Sequence, residues 1–549
     1  MVTSFLESRG DAATDVLIVG AGPVGLSLAV DLGQRGVRCL VVEQNERFGA
    51  QPRAKTTNVR SMEHMRRWGL ADEIRRSSPL PADYRSNVVF ATRLGGLPIA
   101  TFENAFCCAR DRDDRYSESA QWIPQYTVEK VLRDAAAALP TVTLRHGCRL
   151  EGLVQSDAAV TADILDVASG GRVAVSASYL VGADGARSKV RDLLGIRLEG
   201  KHGFARNVNA IFRAPGLAGR HRLGPAIMYW LVNGDTPAVM GPMDHGDTWF
   251  FISTALPDGV TVDQIDVKQT IRRASGLDFD PEILAVDPWL AHRLLAVRYR
   301  EGRAFLAGDA CHLHPPFGGY GMNMGIGDAA DLGWKLAAVI QGWGGQRLLD
   351  SYDAERRPVA DRVIEESVQN YAAVSNSFIR DGLERADAEG AAIRAELGAA
   401  VLASKQREFR TLGVVLGYRY AGSPVIVPDG SPPPDSTVSG YVPSAHPGCL
   451  APHLWLAGGV SLYDRFGPGL TLLVTDGDGP GDGGDTDRLV EAAAGRQVPL
   501  TVLAPGDERL KTLYQARFAL IRPDQHVGWR GDAVPEDAGV LLDRLRGVA

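Results

Sequence analysis

Between Asp15 and Glu43 the chain sets two short apolar runs on either side of an amphipathic one. DVLIVG is uninterrupted and of strand length, GPVGLSLAVDLGQRG spaces its apolar residues at helical intervals, and VRCLVVE is apolar again. This order predicts a βαβ unit with buried strands. A charged helix is expected across NVRSMEHMRRWGLADEIRR, and further strands at VTLRHGCRLEGLV and YLVGADG. From about Gly203 to Leu295 the texture turns aromatic and β-branched, as in AIMYWLVN and TWFFISTA, which predicts an inserted sheet of half-buried strands. AFLAGDA then returns as a buried strand. A Pro/Gly-rich loop follows, then a helix starting near Gly325, and more helix from about Tyr352 to Leu402. GSPPPDSTVSG has linker composition. Beyond it, LTLLVTD, PLTVLAP and FALIRPD predict the strands of a small separate α/β unit.

Composition narrows the class. A chain of 549 residues exceeds one ordinary domain. Its net charge of −7 repels polyphosphate, so no nucleic-acid partner is expected. The six cysteines are scattered without a CxxC pair, which predicts a reducing compartment and no disulfide framework. The neighbours Cys107 and Cys108 read as ordinary thiols. No signal sequence and no bilayer-length apolar run is found, so a cytoplasmic protein without a membrane partner is expected. TDGDGPGDGGDTD resembles a calcium loop only in composition: Pro480 and Gly484 fall where ligands are needed and no Glu closes it. It is expected to be a solvated loop.

Two stretches carry chemistry. GAGPVG follows the first strand directly. Gly20 permits the tight turn, Gly22 lets backbone approach a pyrophosphate, and Gly25 lets the helix pack on the strand, with Ala21, Pro23 and Val24 between them. The helix N-terminus offers free N–H groups to phosphate. Glu43 ends the second strand, where a carboxylate accepts bonds from ribose hydroxyls and disfavours a 2′-phosphate; Gln44 follows it. The motif alone does not separate NAD from FAD.

The other stretch is GRAFLAGDACHLHPPFGGYGMNMGIGDAADLGWKL. Asp309 stands at the carboxyl end of a predicted strand, the edge where open α/β sheets bind ligands. The constrained run from Pro315 to Gly321 suits a flat ring, and the backbone N–H groups of Met322, Asn323 and the following helix suit negative charge on a reduced flavin. A metal site at Cys311, His312 and His314 is the alternative. Alternate strand residues face opposite ways and no fourth ligand is near, so no metal is expected.

GAGPVG with Glu43, DGARS at Asp184 to Ser188, and GDACHLHPPFGGYGMN together resemble the class A flavoprotein aromatic hydroxylases, to which para-hydroxybenzoate hydroxylase and phenol hydroxylase belong. PGCLAPHLWLAGGVSLYDRFGPGLTLLV resembles the thioredoxin-like tail of members acting on phenylpropionates and polyketides, which also lacks CxxC. The resemblance implies an α/β fold: a Rossmann-like FAD-binding domain, an inserted mixed β-sheet substrate domain, and a C-terminal thioredoxin-like domain. The expected divisions are 1–195 for the first part of the FAD-binding domain, 196–297 for the middle sheet, 298–405 for the return and helices, 406–440 for a linker and 441–549 for the tail.

It further implies that Gly20, Gly22, Gly25 and Glu43 hold the ADP half of FAD. Arg53 and Gln125 contact the cofactor, Asp184 serves FAD and NAD(P)H, Asp309 takes the ribityl chain, and Pro316 and Gly321 to Asn323 meet the ring. NAD(P)H would reduce the flavin, and a C4a-hydroperoxide formed with O2 would hydroxylate a small aromatic substrate. No second glycine cradle serves NAD(P)H, and Arg53 to Thr57 is a candidate mobile loop. A homodimer is left open.

Where the family commonly has PPTGGQG, this chain has Phe317 and Tyr320. The substrate pocket is expected between the middle sheet and the Pro316 loop. Met228 and Trp230 face one side of their strand, Ile227 and Tyr229 the other, and the pocket side stays open, as it does for Trp249 and Phe250. Met228, Tyr229, Trp249, Phe250, Phe317 and Gly318 are the candidate substrate contacts, and His245 and Tyr229 the candidate bases. Three other functions compete. A flavin halogenase needs WxWxIP, of which only QWIPQ is present. A dehydrogenase would use GAGPVG alone, and a flavin-binding scaffold would show no turnover. The alternative within the flavin reading is epoxidation or ring oxidation of a non-phenolic metabolite by the same oxygenated flavin.

Overall fold

The protein is described by a computed structural model covering residues 13–46, 54–81, 83–245, 247–253, 264–373, 375–476 and 484–549. Three sheets organise it. In the first, strand Ala13–Val19 lies parallel between Cys39–Glu43 and Arg172–Gly182, which in turn neighbour Val142–His146 and Ala304–Leu306. Cys39–Glu43, Ala304–Leu306 and the second half of Ala13–Val19 are almost wholly buried, as parallel strands covered on both faces must be. Helix Pro23–Gln34 packs against helix Gly321–Ile340, so the two chemistry-bearing stretches are neighbours in space.

The second sheet has eight strands, in the order His312–Leu313, Glu282–Ala296, Leu198–Arg213, Thr248–Ser253, Ala238–Pro242, Met228–Leu231, Val88–Ala91 and Pro98–Phe102. Its last two strands come from well before residue 196, so the expected 196–297 unit is incomplete. Met228 pairs in parallel with Val88. That pairing is long-range, and nothing in the local pattern of VVFA signals it.

The tail forms the third sheet, ordered Leu500–Leu503, Leu470–Val474, Phe518–Ile521, Val527–Gly531. Its first pair is parallel and the other two antiparallel, with helices Asp485–Gly495 and Ala538–Leu545 alongside, as a thioredoxin-like unit requires. Residues 477–483, most of the calcium-like stretch, lie outside the described residues.

Three boundaries differ from expectation. The charged helix divides into Val59–Arg67 and Ala71–Arg76, broken at Gly69 with φ +76°. The predicted Tyr352–Leu402 helix is two, Gln346–Ala372 and Ala388–Ser404. The loop helix starts at Gly321 rather than near Gly325, because its glycines tolerate helical backbone once the helix is packed. No described helix is long and apolar enough to cross a membrane.

A buried charge cluster joins the tail to the first unit. Arg522 bonds Glu355 at 2.6 Å and Asp331 at 3.1 Å, and Lys335 lies 2.5 Å from Glu355. Arg60 of helix Val59–Arg67 donates to Gln525 at 2.6 Å.

Candidate functional site

The turn after the first strand is built as its glycines demand. Gly20 has φ +107°, and a Cβ there would stand 2.3 Å from the Ala183 carbonyl oxygen. At Gly25 a Cβ would stand 2.0 Å from the Gly20 oxygen, so helix and turn touch. Around Gly22 there is nothing within 4 Å, and the helix N-terminus above it is open. Glu43 accepts the Ala21 N–H at 3.1 Å and so ties the second strand's end to this turn.

The second stretch meets it. Gly308, with φ +64°, packs on Val24 of the first helix, and so does Gly325. Asp309 is exposed between buried Gly308 and Ala310 and faces the cavity. Its turn is fastened from below: Asp328 accepts from the Gly308 N–H at 3.1 Å, bonds His312 at 2.8 Å and takes the Arg356 Nε–H at 2.8 Å. The Arg356 guanidinium and His312 hold the buried Asp328 carboxyl down to about 2 against the cost of burial.

Cys311, His312 and Asp328 lie close enough to ligate a metal. Cys311 Sγ bonds Gly308 O, His312 Nε2 bonds Asp328, and Asp328 also takes Gly308 N–H and Arg356, which describes a hydrogen-bonded brace. His314 faces the other way, into the cavity, and burial lowers its pKa to about 4.

The loop that follows has Gly318 at φ +94° and Gly319 at φ +67°; a Cβ on Gly319 would press on Thr56 at 2.9 Å. Gly321 and Met322 line the cavity at the helix start, where their N–H groups have no helical partner. The Asn323 side chain is consumed elsewhere: it accepts from the Asn58 N–H and donates to Thr56 and Gly319 oxygens at 2.8 and 2.6 Å.

Gln125 accepts from the Ala54 N–H at 3.2 Å and lines the cavity. Asp184 also lines it, yet its carboxylate holds Ser188 at 2.5 Å and the Val190 N–H at 3.0 Å, bracing the DGARS turn. Burial raises its pKa. Arg53 lies outside the described residues. Of its candidate mobile loop, Thr56 and Thr57 are described as a short ladder with Gln121–Trp122.

The two stretches border one cavity of about 640 Å³, reached by Gly20, Gly22, Pro23, Val24, Glu43 and Gln44 from one and Asp309, Pro316, Phe317, Gly318 and Gly321 from the other. The middle sheet contributes Met228, Trp230 and Phe250. Trp230 and Phe317 are 1% and 7% exposed, with ring centroids 6.0 Å apart.

The open question of sides is thereby answered. Tyr229 and Trp249 stack on each other across the sheet, away from the cavity, and the Tyr229 hydroxyl donates to Gly224 O at 2.6 Å. Neither is a substrate contact, because odd and even residues of a strand face opposite ways. His245 is exposed in a turn near Pro79 and does not border the cavity, so both candidate bases are withdrawn. Tyr320, grouped with Phe317 from sequence, is instead buried in the main core.

The cavity also has walls the sequence did not single out: Trp122, Phe106, Asn209, Lys55 and Glu408. Phe106 reaches it from left-handed backbone, φ +63°, between Asn104 at +46° and Cys107 at +61°. Such strain in non-glycine residues is characteristic of functional sites. Burial raises the pKa of both Cys107 and Cys108, so they behave as ordinary thiols.

Comparison with known proteins agrees. Residues 13–367 match the FAD binding domain family, and residues 444–548 match the aromatic-ring hydroxylase C-terminal family. FAD-dependent monooxygenase apdD of Emericella nidulans is 33% identical over 97% of this chain and 90% of its own length. The structure of RebC with bound 7-carboxy-K252c aligns with TM-score 0.89 at 36% identity, covering 98% of this chain and all of that one. Aklavinone-11 hydroxylase in ternary complex with FAD and aklavinone aligns with TM-score 0.83 at 29% identity, covering 98% and 100%.

Proposed function

Since this chain belongs to the FAD-binding aromatic-ring hydroxylases and is an FAD-dependent aromatic monooxygenase, we propose that it hydroxylates a phenolic, fused-ring substrate of the polyketide kind with NAD(P)H and O2. The carrying observation is the single cavity shared by the Gly20 turn, the Asp309 strand end and the aromatic face of the middle sheet.

FAD fits these residues. Free space at Gly22 accepts a pyrophosphate against the helix N-terminus, and Glu43 stands where ribose hydroxyls donate. Asp309 takes the ribityl chain. Pro316, Gly318, Gly321 and Met322 accommodate the ring, and Gln125 supports the pyrophosphate. When bound and reduced by NAD(P)H, FAD supplies activated oxygen. The protein's own part is positioning and dryness. Met228, Trp230, Phe250 and Phe317 give a planar substrate flat apolar walls. The near-complete burial of Trp230, Phe250 and Phe317 keeps water from the reacting atoms. The N–H groups of Gly321 and Met322 carry the positive end of a helix dipole and stabilise negative charge beside them.

Relatives whose structures hold 7-carboxy-K252c or aklavinone support a fused-ring ligand. The test is purified holoenzyme with a panel of mono- and polycyclic phenols, reading NAD(P)H loss and oxygenated product together. A polycyclic phenol should stimulate oxidation at least about tenfold with product formed in step, a change of about 1.4 kcal/mol in the barrier. Stimulated oxidation that yields only hydrogen peroxide with every phenol contradicts the proposal.

A further inference from the structure

Several cations drawn into the interior of this protein have carboxylate partners. Lys335 lies 2.8 Å from Asp331, Lys405 2.6 Å from Glu408, and Arg356 2.8 Å from Asp328. Lys55 does not follow this pattern. Its side chain is half-buried in the cavity wall, with the ammonium 4.3 Å from the Phe250 ring centroid. Among the described residues no carboxylate pairs with it. The backbone beneath it is fixed: Lys55 O accepts the Ile123 N–H at 2.7 Å, and Thr56 pairs with Trp122. This backbone presents the ammonium to the cavity with, among the described residues, a ring face beside it. A ring face offsets part of the cost of desolvating a charge, not the whole.

Glu408 and His314 are titratable groups that line the same cavity. Glu408 is held by Lys405 behind it, and His314 is bonded to Pro315 O at 2.7 Å and kept neutral by burial. Neither is an ion-pair partner of Lys55. Burial alone brings the pKa of Lys55 down to about 8. Near neutrality its amine therefore exchanges protons readily, which a lysine in water does not.

We propose that Lys55 receives the phenolic proton of the substrate and then serves as the counterion of the phenolate, holding the ring oxygen at the Phe250 side of the cavity. This rests on the aromatic-hydroxylase reading above. The step balances: the neutral amine takes the O–H proton, leaving ammonium and phenolate, with no change at carbon and no further reactant. A phenolate is the more electron-rich ring, so the same ion pair favours attack by an electrophilic oxygen.

The experiment uses the FAD-loaded enzyme without NAD(P)H and two coloured hydroxyanthraquinones, alizarin and emodin, whose anions absorb to the red of flavin. Visible spectra of the bound probe are recorded across pH for wild type, Lys55→Gln, Lys55→Met and Lys55→Arg. Wild type is expected to bind the anion, lowering the probe's apparent pKa by about one unit or more, a tenfold preference. Gln and Met should abolish that shift, and Arg, a fixed cation, should restore the anionic spectrum. FAD content and its flavin spectrum should stay at the wild-type level throughout. Wild type binding the neutral form at every pH overturns the inference without need of any variant. So do variants with the wild-type shift, or variants that shed FAD, which would make Lys55 a flavin ligand. If wild type binds neither probe, the fused-ring reading falls and takes the inference with it.

Discussion

At the scale of single residues, the glycines of the first turn make opposite predictions. Gly22 has open space and ordinary extended backbone, so Gly22→Ala should leave the melting temperature of FAD-free protein unchanged. The methyl would intrude where a pyrophosphate lies, and FAD affinity should fall at least about tenfold by fluorescence titration. Gly25 has the Gly20 oxygen where a Cβ would go, so Gly25→Ala should destabilise even the FAD-free protein, by about 1–3 kcal/mol. Equal effects of the two would refute these roles. The roles were readable from spacing, because a turn between strand and helix leaves each glycine one job. The side of the middle sheet was not. Met228, Tyr229, Trp230, Trp249 and Phe250 are apolar on both faces, since one face lines the cavity and the other covers a core of its own, so alternation carried no sign. Lys55 stands two residues after Arg53, but a lysine in a polar loop gives no sequence hint that it will be buried against Phe250.

At the scale of elements, the Asp309 turn depends on a helix that begins after it. Asp328, in helix Gly321–Ile340, reaches back to the Gly308 N–H while pairing with Arg356 of the next helix. Its folded pKa of about 2 lies below the ordinary 3.8. The stability it contributes is therefore complete above pH 3.8 and is lost as pH falls through about 2. Asp328→Asn should cost on the order of 3–5 kcal/mol in urea unfolding at neutral pH, by stranding Arg356. It should also loosen the Gly308 turn, so that FAD is lost on dialysis. A variant of wild-type stability that keeps its flavin contradicts the brace. Strand, loop and helix were each legible from periodicity and Gly/Pro density. The brace was not, because histidine and aspartate in sequence look equally like ligands.

At the scale of the molecule, the tail is tied to the flavin unit through buried charge. Three carboxylates, Asp331, Glu355 and Asp524, surround two cations, Arg522 and Lys335. Asp331 is pushed well above the usual carboxylate range by burial, while Arg522 and Lys335 pull Glu355 down to about 2. Arg522→Leu would leave Glu355 and Asp524 without their shared partner, and should destabilise the whole protein by about 3–5 kcal/mol, with a single unfolding transition. Two separate transitions with unchanged flavin-unit stability would show the tail to be independent. The sequence marked the tail and the inserted sheet by texture, yet it gave the sheet too few strands. Val88–Ala91 and Pro98–Phe102 join it by long-range pairing that no local pattern encodes.

Two distant segments, the Gly20 turn and the Asp309 strand end, would grip one FAD. Calorimetric titration of FAD-stripped protein with FAD, for wild type, Gly22→Ala, Asp309→Ala and the double variant, tests this directly. The account predicts one FAD per chain for wild type and at least about a tenfold loss of affinity for each single variant. Uptake of no flavin by the wild type, or Asp309→Ala binding as tightly as wild type, would contradict it.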